Sequence, residues 1–124
     1  MIRLVRRPIA IVLVLATSLL SSAIAGGLDD AGSALLRGEN GVALSIIRPM
    51  ANAGDSRAQL ALGLMYRNGQ GVAQNQAESV KWIRKAAEQG DSEAEYSLGL
   101  AFQNGMGMRQ DYAEALSWFR LAAA

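Results

Sequence analysis

The chain of 124 residues contains no cysteine and no histidine. Those absences remove disulfides, zinc sites of the usual thiolate and imidazole kind, and every catalytic scheme that needs a Cys or His nucleophile or base. A metal would have to sit on oxygen ligands alone, and the sequence leads us to expect neither a metal nor a cofactor. Aromatic residues are scarce at 6%, prolines number 2, and charged residues make up 19% with a net charge of +1. Such sparse positive charge disfavours a nucleic-acid ligand, whose phosphates require clustered Lys and Arg. What is abundant is apolar surface, 51% of the chain, enough for the core of one small domain.

That apolar content is unevenly spread. Arg3, Arg6 and Arg7 precede an apolar run from Ile9 to Leu20, and Ala23-Ile24-Ala25 follows with small residues at the positions a signal peptidase requires. The run is well short of the roughly 20 residues that cross a bilayer as a helix, so we expect a cleavable secretory signal over 1–25, cut after Ala25, and no stable membrane anchor afterwards. The expected location is the periplasm or the exterior. Three of the 12 basic residues lie in this segment, leaving nine against 11 acidic ones and a charge of −2 on residues 26–124. Without disulfide or metal, that domain must hold together by packing alone.

An internal repeat dominates the remainder. Sliding the sequence by 36 residues places Gly54–Glu88 over Gly90–Ala124 without a gap, with 17 identities in 35 positions. Chance would give roughly two or three. Within each unit the apolar period is helical: Ala58, Ala61, Leu62 and Met65 share one face. Asp55 or Ser56 stands at an N-cap position, as does Asp91 or Ser92. The spacing predicts a first helix over Ser56–Asn68, a stop at Gly69-Gln70-Gly71, and a second helix over Gln76–Gln89. Upstream, Leu28–Arg37 and Val42–Ala53 read as a weaker hairpin around Gly38-Glu39-Asn40-Gly41, with Pro49 expected to kink its second helix. The expected divisions are therefore a degenerate hairpin at 26–53 and full units at 54–89 and 90–124. A one-sided apolar hairpin must stack on its neighbour to bury its face, which predicts an all-α solenoid of antiparallel helix-turn-helix units.

The pattern Ala58-x-x-x-Leu62-Gly63-x-Met65-Tyr66-x-x-Gly69-x-Gly71-Val72-x-Gln74-x-x-Ala77-x-x-x-x-Trp82-x-x-x-Ala86-Ala87-x-x-Gly90 resembles the Sel1-like repeat, a relative of the tetratricopeptide repeat. It recurs in the second unit with Phe102 for Tyr66 and Met108 for Val72, whereas Leu28–Ala53 lacks the Leu-Gly, Gly-x-Gly and Trp positions. The resemblance implies an α-solenoid that binds another protein or peptide, as an adaptor or scaffold, often in the bacterial cell envelope. It brings no catalytic motif.

The alternative from another class is an envelope enzyme acting on peptidoglycan or β-lactam substrates, an activity associated with some secreted Sel1-like proteins. Those relatives are cysteine-rich and this chain has none. A serine nucleophile would need Lys81 or Lys85 as base, and no Ser-x-x-Lys spacing exists. Glu93 and Glu95 point apart on a helix, and Asp29-Asp30 reads as solvated surface. Gly69-x-Gly71 and Gly105-x-Gly107 are explained by turn geometry more simply than by phosphate binding, and the matched Trp82 and Trp118 by a core more simply than by sugar stacking. We therefore expect no enzyme and no catalytic residue.

On the first helices Leu60, Leu64 and Arg67 form an i, i+4, i+7 stripe, repeated by Tyr96, Leu100 and Gln103. Resemblance to tetratricopeptide arrays makes these six, edged by Asn68 and Asn104, the candidate protein-binding groove, with Leu64 and Leu100 equally readable as core. Arg67 and Tyr96 are the residue types that dominate interfaces. The chain stops within the last helix, so Trp118, Phe119 and Leu121 are expected to leave an apolar end, reflecting either self-association there or an array shortened from a longer one.

Overall fold

The computed structural model describes residues 26–124; the segment expected to be the signal, 1–25, lies outside the described residues. Regular structure among the described residues is entirely helical: α1 over 26–36, α2 Asn40–Asn52, α3 Ser56–Asn68, α4 Gln76–Glu88, α5 Ser92–Asn104 and α6 Tyr112–Ala123. None of these helices is long and apolar enough to cross a membrane. The second helices begin at Asn40, Gln76 and Tyr112, so the 36-residue period runs through all three hairpins. The weak upstream hairpin is thus in phase with the others, although its α2 starts two residues before the expected Val42.

The starts of α3 to α6 and the ends of α3 and α5 have local causes. The Asp55 carboxylate accepts the Ala58 N–H at 2.8 Å, and Asp91 accepts that of Ala94 at 2.9 Å. Asn75 and Asp111 do the same for α4 and α6. Such caps satisfy donors that the first turn leaves free. α3 and α5 stop at Gly69 and Gly105, whose φ angles of 68° and 65° exclude most side chains. Matching glutamines then tie the loops down: Gln74 Nε2 donates to the Arg67 carbonyl at 2.9 Å, and Gln110 Nε2 to that of Gln103 at 2.7 Å. Pro49 does not interrupt α2, which continues to Asn52. Pro49 and Ser45, the carbonyl of which loses its helical donor, lie on the exposed side, where water replaces the missing bond.

Two cores alternate along the stack. Ile47, Ala51, Ala58, Leu62, Met65 and Trp82 join the first hairpin to the second, and Leu60, Val80, Ile83, Ala87, Ala94 and Leu98 join the second to the third. Small residues let the axes approach. A Cβ on Gly63 would lie 2.6 Å from Ile83 Cγ1, and one on Gly99 2.6 Å from the Phe119 ring. The second loop glycines seal the joints between hairpins, Gly71 against the Asn40 carbonyl and Gly107 against that of Gln76.

Candidate protein-interaction surface

The stripe on the first helices is divided by the stacking. Leu60 is 6% exposed, packed with Val80 and Ile83 beneath Ala94 and Leu98, so it belongs to the joint between units rather than to a free wall. Leu64 and Leu100 are half-buried. Leu60 and Leu64, together with Arg57, Asp91 and Glu93, still line a cleft of about 320 Å³. Half-buried Arg67 joins Leu100 and Asn104 at a narrower cleft of about 80 Å³, floored by Val80 and Ile83. Asn68, Gln103 and Asn104 are exposed; Asn104 lines this cleft, and Gln103 lines a separate hollow with Tyr96. The two clefts give α3 and α5 a shared surface with basic, acidic, amide and apolar groups.

Tyr96, the counterpart of Leu60 one unit on, is 53% exposed. Its ring packs against Phe119 at 5.6 Å between centroids and 45° between planes. Together with Glu93, Leu100, Ala122 and Ala123 they wall an open hollow of about 600 Å³. Identical register therefore gives opposite environments: α5 covers Leu60, and nothing among the described residues covers Tyr96. Trp118 turns inward against the second core, Phe119 is half-buried, and Leu121 is 54% exposed. The apolar outer face of α6 extends instead to Tyr112 and Leu116, which sequence reasoning missed, exposed at 68% and 49%. Applying the 36-residue offset to the second helices would have found them, since Leu116 matches Val80 and Phe119 matches Ile83.

A second device repeats across the joints. Arg48 Nη2 donates to the Tyr66 hydroxyl at 3.4 Å, and the Arg84 guanidinium lies 5.4 Å from the centre of the Phe102 ring. Arg120 occupies the same register in α6 and is exposed.

The groups weighed for other chemistry are held apart among the described residues. Gly69 and Gly71 close against Gln74 and Asn40, leaving no cradle for a phosphate. Glu93 is exposed while Glu95 is buried, so the two carboxylates do not converge. Lys85 Nζ stands 4.4 Å from the centre of the Trp82 ring, occupied as a cation over an aromatic face rather than placed beside a hydroxyl. Among the described residues no group of three carboxylates gathers where a cation could be held. Arg37 and Glu39, paired at 2.9 Å in the turn after α1, shift each other's pKa: Glu39 is held below its usual value, first by the hydrogen bond and then by the charge, and Arg37 is raised.

Helical hairpins stacked at a fixed period, with clefts along their first helices, define an α-solenoid of the tetratricopeptide kind. The Sel1 repeat model matches residues 56–91 and 92–124, and the chain belongs to the Sel1 repeat family. A Sel1 repeat protein from Oxalobacter formigenes is similar at 42% identity and a TM-score of 0.65, over 67% of this chain and 34% of that one. So is c5321, a protective antigen present in uropathogenic Escherichia coli strains and displaying an SLR fold, at 42% identity and a TM-score of 0.66, over 67% of this chain and 18% of that one. The chain spans about a third or less of the length of these structures. No curated protein matches it. Sel1 repeats generally serve as protein-interaction modules.

Proposed function

We propose that the chain is an exported adaptor that holds a partner protein in the bacterial cell envelope through the first-helix surface of its two repeats. The observation that carries this reading is the pair of clefts on α3 and α5, one setting Arg57, Asp91 and Glu93 beside half-buried Leu64 and the other setting Arg67 beside half-buried Leu100. A partly apolar floor ringed by charges of both signs suits a peptide or protein surface better than a small substrate. Export is supported by the Arg-rich, apolar and small-residue segments of 1–25. The description of a similar structure as a protective antigen also fits a protein beyond the cytoplasm.

The test is affinity capture from envelope extract with the chain and with Arg67→Glu, which inverts the one cation in the narrow cleft. A protein retained by the parent and lost by Arg67→Glu supports the reading and locates the surface. Equal retention by both moves the surface elsewhere, and recovery of the chain solely from the cytoplasm overturns the envelope assignment.

A further inference from the structure

The narrow cleft between α3, α4 and α5 holds a cation and no anion. Arg67 is the one charged residue of its lining, and Gln76, Ser79, Ser97 and Asn104 supply the other polar groups. The salt bridges among the described residues join Arg37 to Glu39 and Lys81 to Glu78, which leaves Arg67 without a carboxylate among them. Arg57 is placed otherwise, since it shares its cleft with Asp91 and Glu93. Nor does ending α3 require a cation at this position: α5 ends on the same Asn-Gly pair with uncharged Gln103 in its place.

The neighbouring joint shows what the repeat carries here when the space is filled. At the 36-residue offset, Ser79, Ser97 and Ala101 stand in place of Ala43, Ala61 and Met65, which pack in the core between the first two hairpins. Two small apolar side chains have become hydroxyls, and the largest of the three has been cut to a methyl group. The exchanges act together, leaving about 80 Å³ beside Val80 and Ile83 and lining it with hydrogen-bonding groups. Each exchange forfeits apolar packing at a buried joint, which the stack alone gives no reason to lose.

An occupant must therefore bring one negative charge and little bulk. A carboxylate meets both demands, because it accepts two parallel hydrogen bonds from a guanidinium. A phosphate group, with a charge of about −2 and three oxygens, exceeds what one arginine answers. Val80, Ile83 and Met106 beside the cation suit the methylene stem of an acidic side chain. Leu100 lines both this cleft and the 600 Å³ hollow, so the surface continues past the cleft and the carboxylate comes from a passing segment rather than from a chain end.

We infer that the narrow cleft is the specificity pocket of the partner surface and takes an aspartate or glutamate side chain from an unbroken segment of the partner protein, paired with Arg67. The inference rests on the adaptor reading above and adds to it the chemistry of what is bound.

The test begins with short random peptides displayed on phage through their C-termini, so that no free terminal carboxylate is offered. Selection on the purified chain should enrich an acidic residue at one fixed position. The best peptide, made with both ends blocked, should lose about tenfold or more in affinity when that acid is replaced by its amide. Arg67→Gln should bind the acidic and the amide peptide alike, a loss of discrimination that a fault in folding would not produce. Ala101→Met, which restores the side chain of the first joint and fills the cleft, should weaken the acidic peptide while the circular dichroism stays that of the parent. Peptides enriched without an acidic position, or an Arg67→Gln chain that still prefers the acid, overturn the inference and leave the adaptor reading standing. A library that yields no binder overturns it too, and capture from envelope extract then decides separately whether the adaptor reading survives.

Discussion

Val80 and Leu116 occupy the same place in successive units, yet Val80 is 7% exposed and Leu116 49%. The pairs Ile83 and Phe119, Ala87 and Ala123, and Leu60 and Tyr96 divide in the same direction. In each case the first member lies beneath the third hairpin and the second lies beneath nothing among the described residues. In a solenoid a residue's environment is set by its neighbouring unit as much as by its own, so two near-identical units need not have equal stability or equal duties.

The tryptophans provide the strongest way to break that comparison. Trp82 is 8% exposed in the joint between the first two hairpins, whereas Trp118 is half-buried against one core only. Deleting a well-buried aromatic costs about 3–5 kcal/mol, so Trp82→Ala should remove most of the stability of a domain this small. Trp118→Ala should cost about half as much, because one side of its site can collapse. Urea unfolding of both variants measures the difference, and equal losses would show that the two units fold as one inseparable block. Neither indole N–H has an acceptor among the described residues, so truncation forfeits packing and no hydrogen bond.

A finer probe uses the glycines inside the first helices. An alanine at position 63 would press its Cβ on Ile83 Cγ1 at 2.6 Å and on the Ser79 carbonyl oxygen at 3.0 Å, the latter fixed backbone in a covered joint. At position 99 the close atoms all belong to the Phe119 ring, which borders the open hollow and can tilt away. Replacing a mid-helix glycine by alanine gains about 1 kcal/mol in helix propensity. Overpacking costs about 1–3 kcal/mol where neighbours cannot move. Gly63→Ala should therefore be neutral to destabilising by up to about 2 kcal/mol and Gly99→Ala stabilising by up to about 1 kcal/mol, since only the second escapes the overpacking penalty. The measurement is the shift in thermal midpoint, about 4–8 °C per kcal/mol at this size.

The helices were legible in the sequence because their boundaries are set locally. Asp55 and Gly69 delimit α3 at the expected Ser56–Asn68, and α4 ends one residue before the expected Gln89. The start of α2 at Asn40 was less legible, since no side-chain cap marks it and the turn after α1 is only residues 37–39. Gln74 and Gln110 were visible as an identity without a reason until the loop carbonyls they bind were in place. The binding stripe was legible only in part, because its register is local and its exposure is not. Leu60 and Tyr96 cannot be told apart by position within a unit; what separates them is α5, which lies over one and not the other.

The smallest effect is expected at the turn that distinguishes the first hairpin from the two full repeats. Those repeats close their long loops with Gln74 and Gln110, while the short turn carries Arg37 Nε donating to Glu39 Oε1 at 2.9 Å and Arg37 Nη2 to Oε2 at 3.3 Å. The pair holds the Glu39 pKa below its usual value. Between the two values the unfolded chain binds more protons than the folded one, so the contribution is present above the ordinary glutamate pKa and fades as pH falls through the lowered one. Both side chains are exposed, and solvent screens most of the attraction. Glu39→Gln should leave the thermal midpoint at pH 7 unchanged within error and flatten its acid-side slope only slightly. A loss at pH 7 approaching that of Trp82→Ala would mean that an exposed pair, rather than the core around Ile47 and Ala51, fixes the first hairpin, and would place the weak point of the stack at its start instead of at α6.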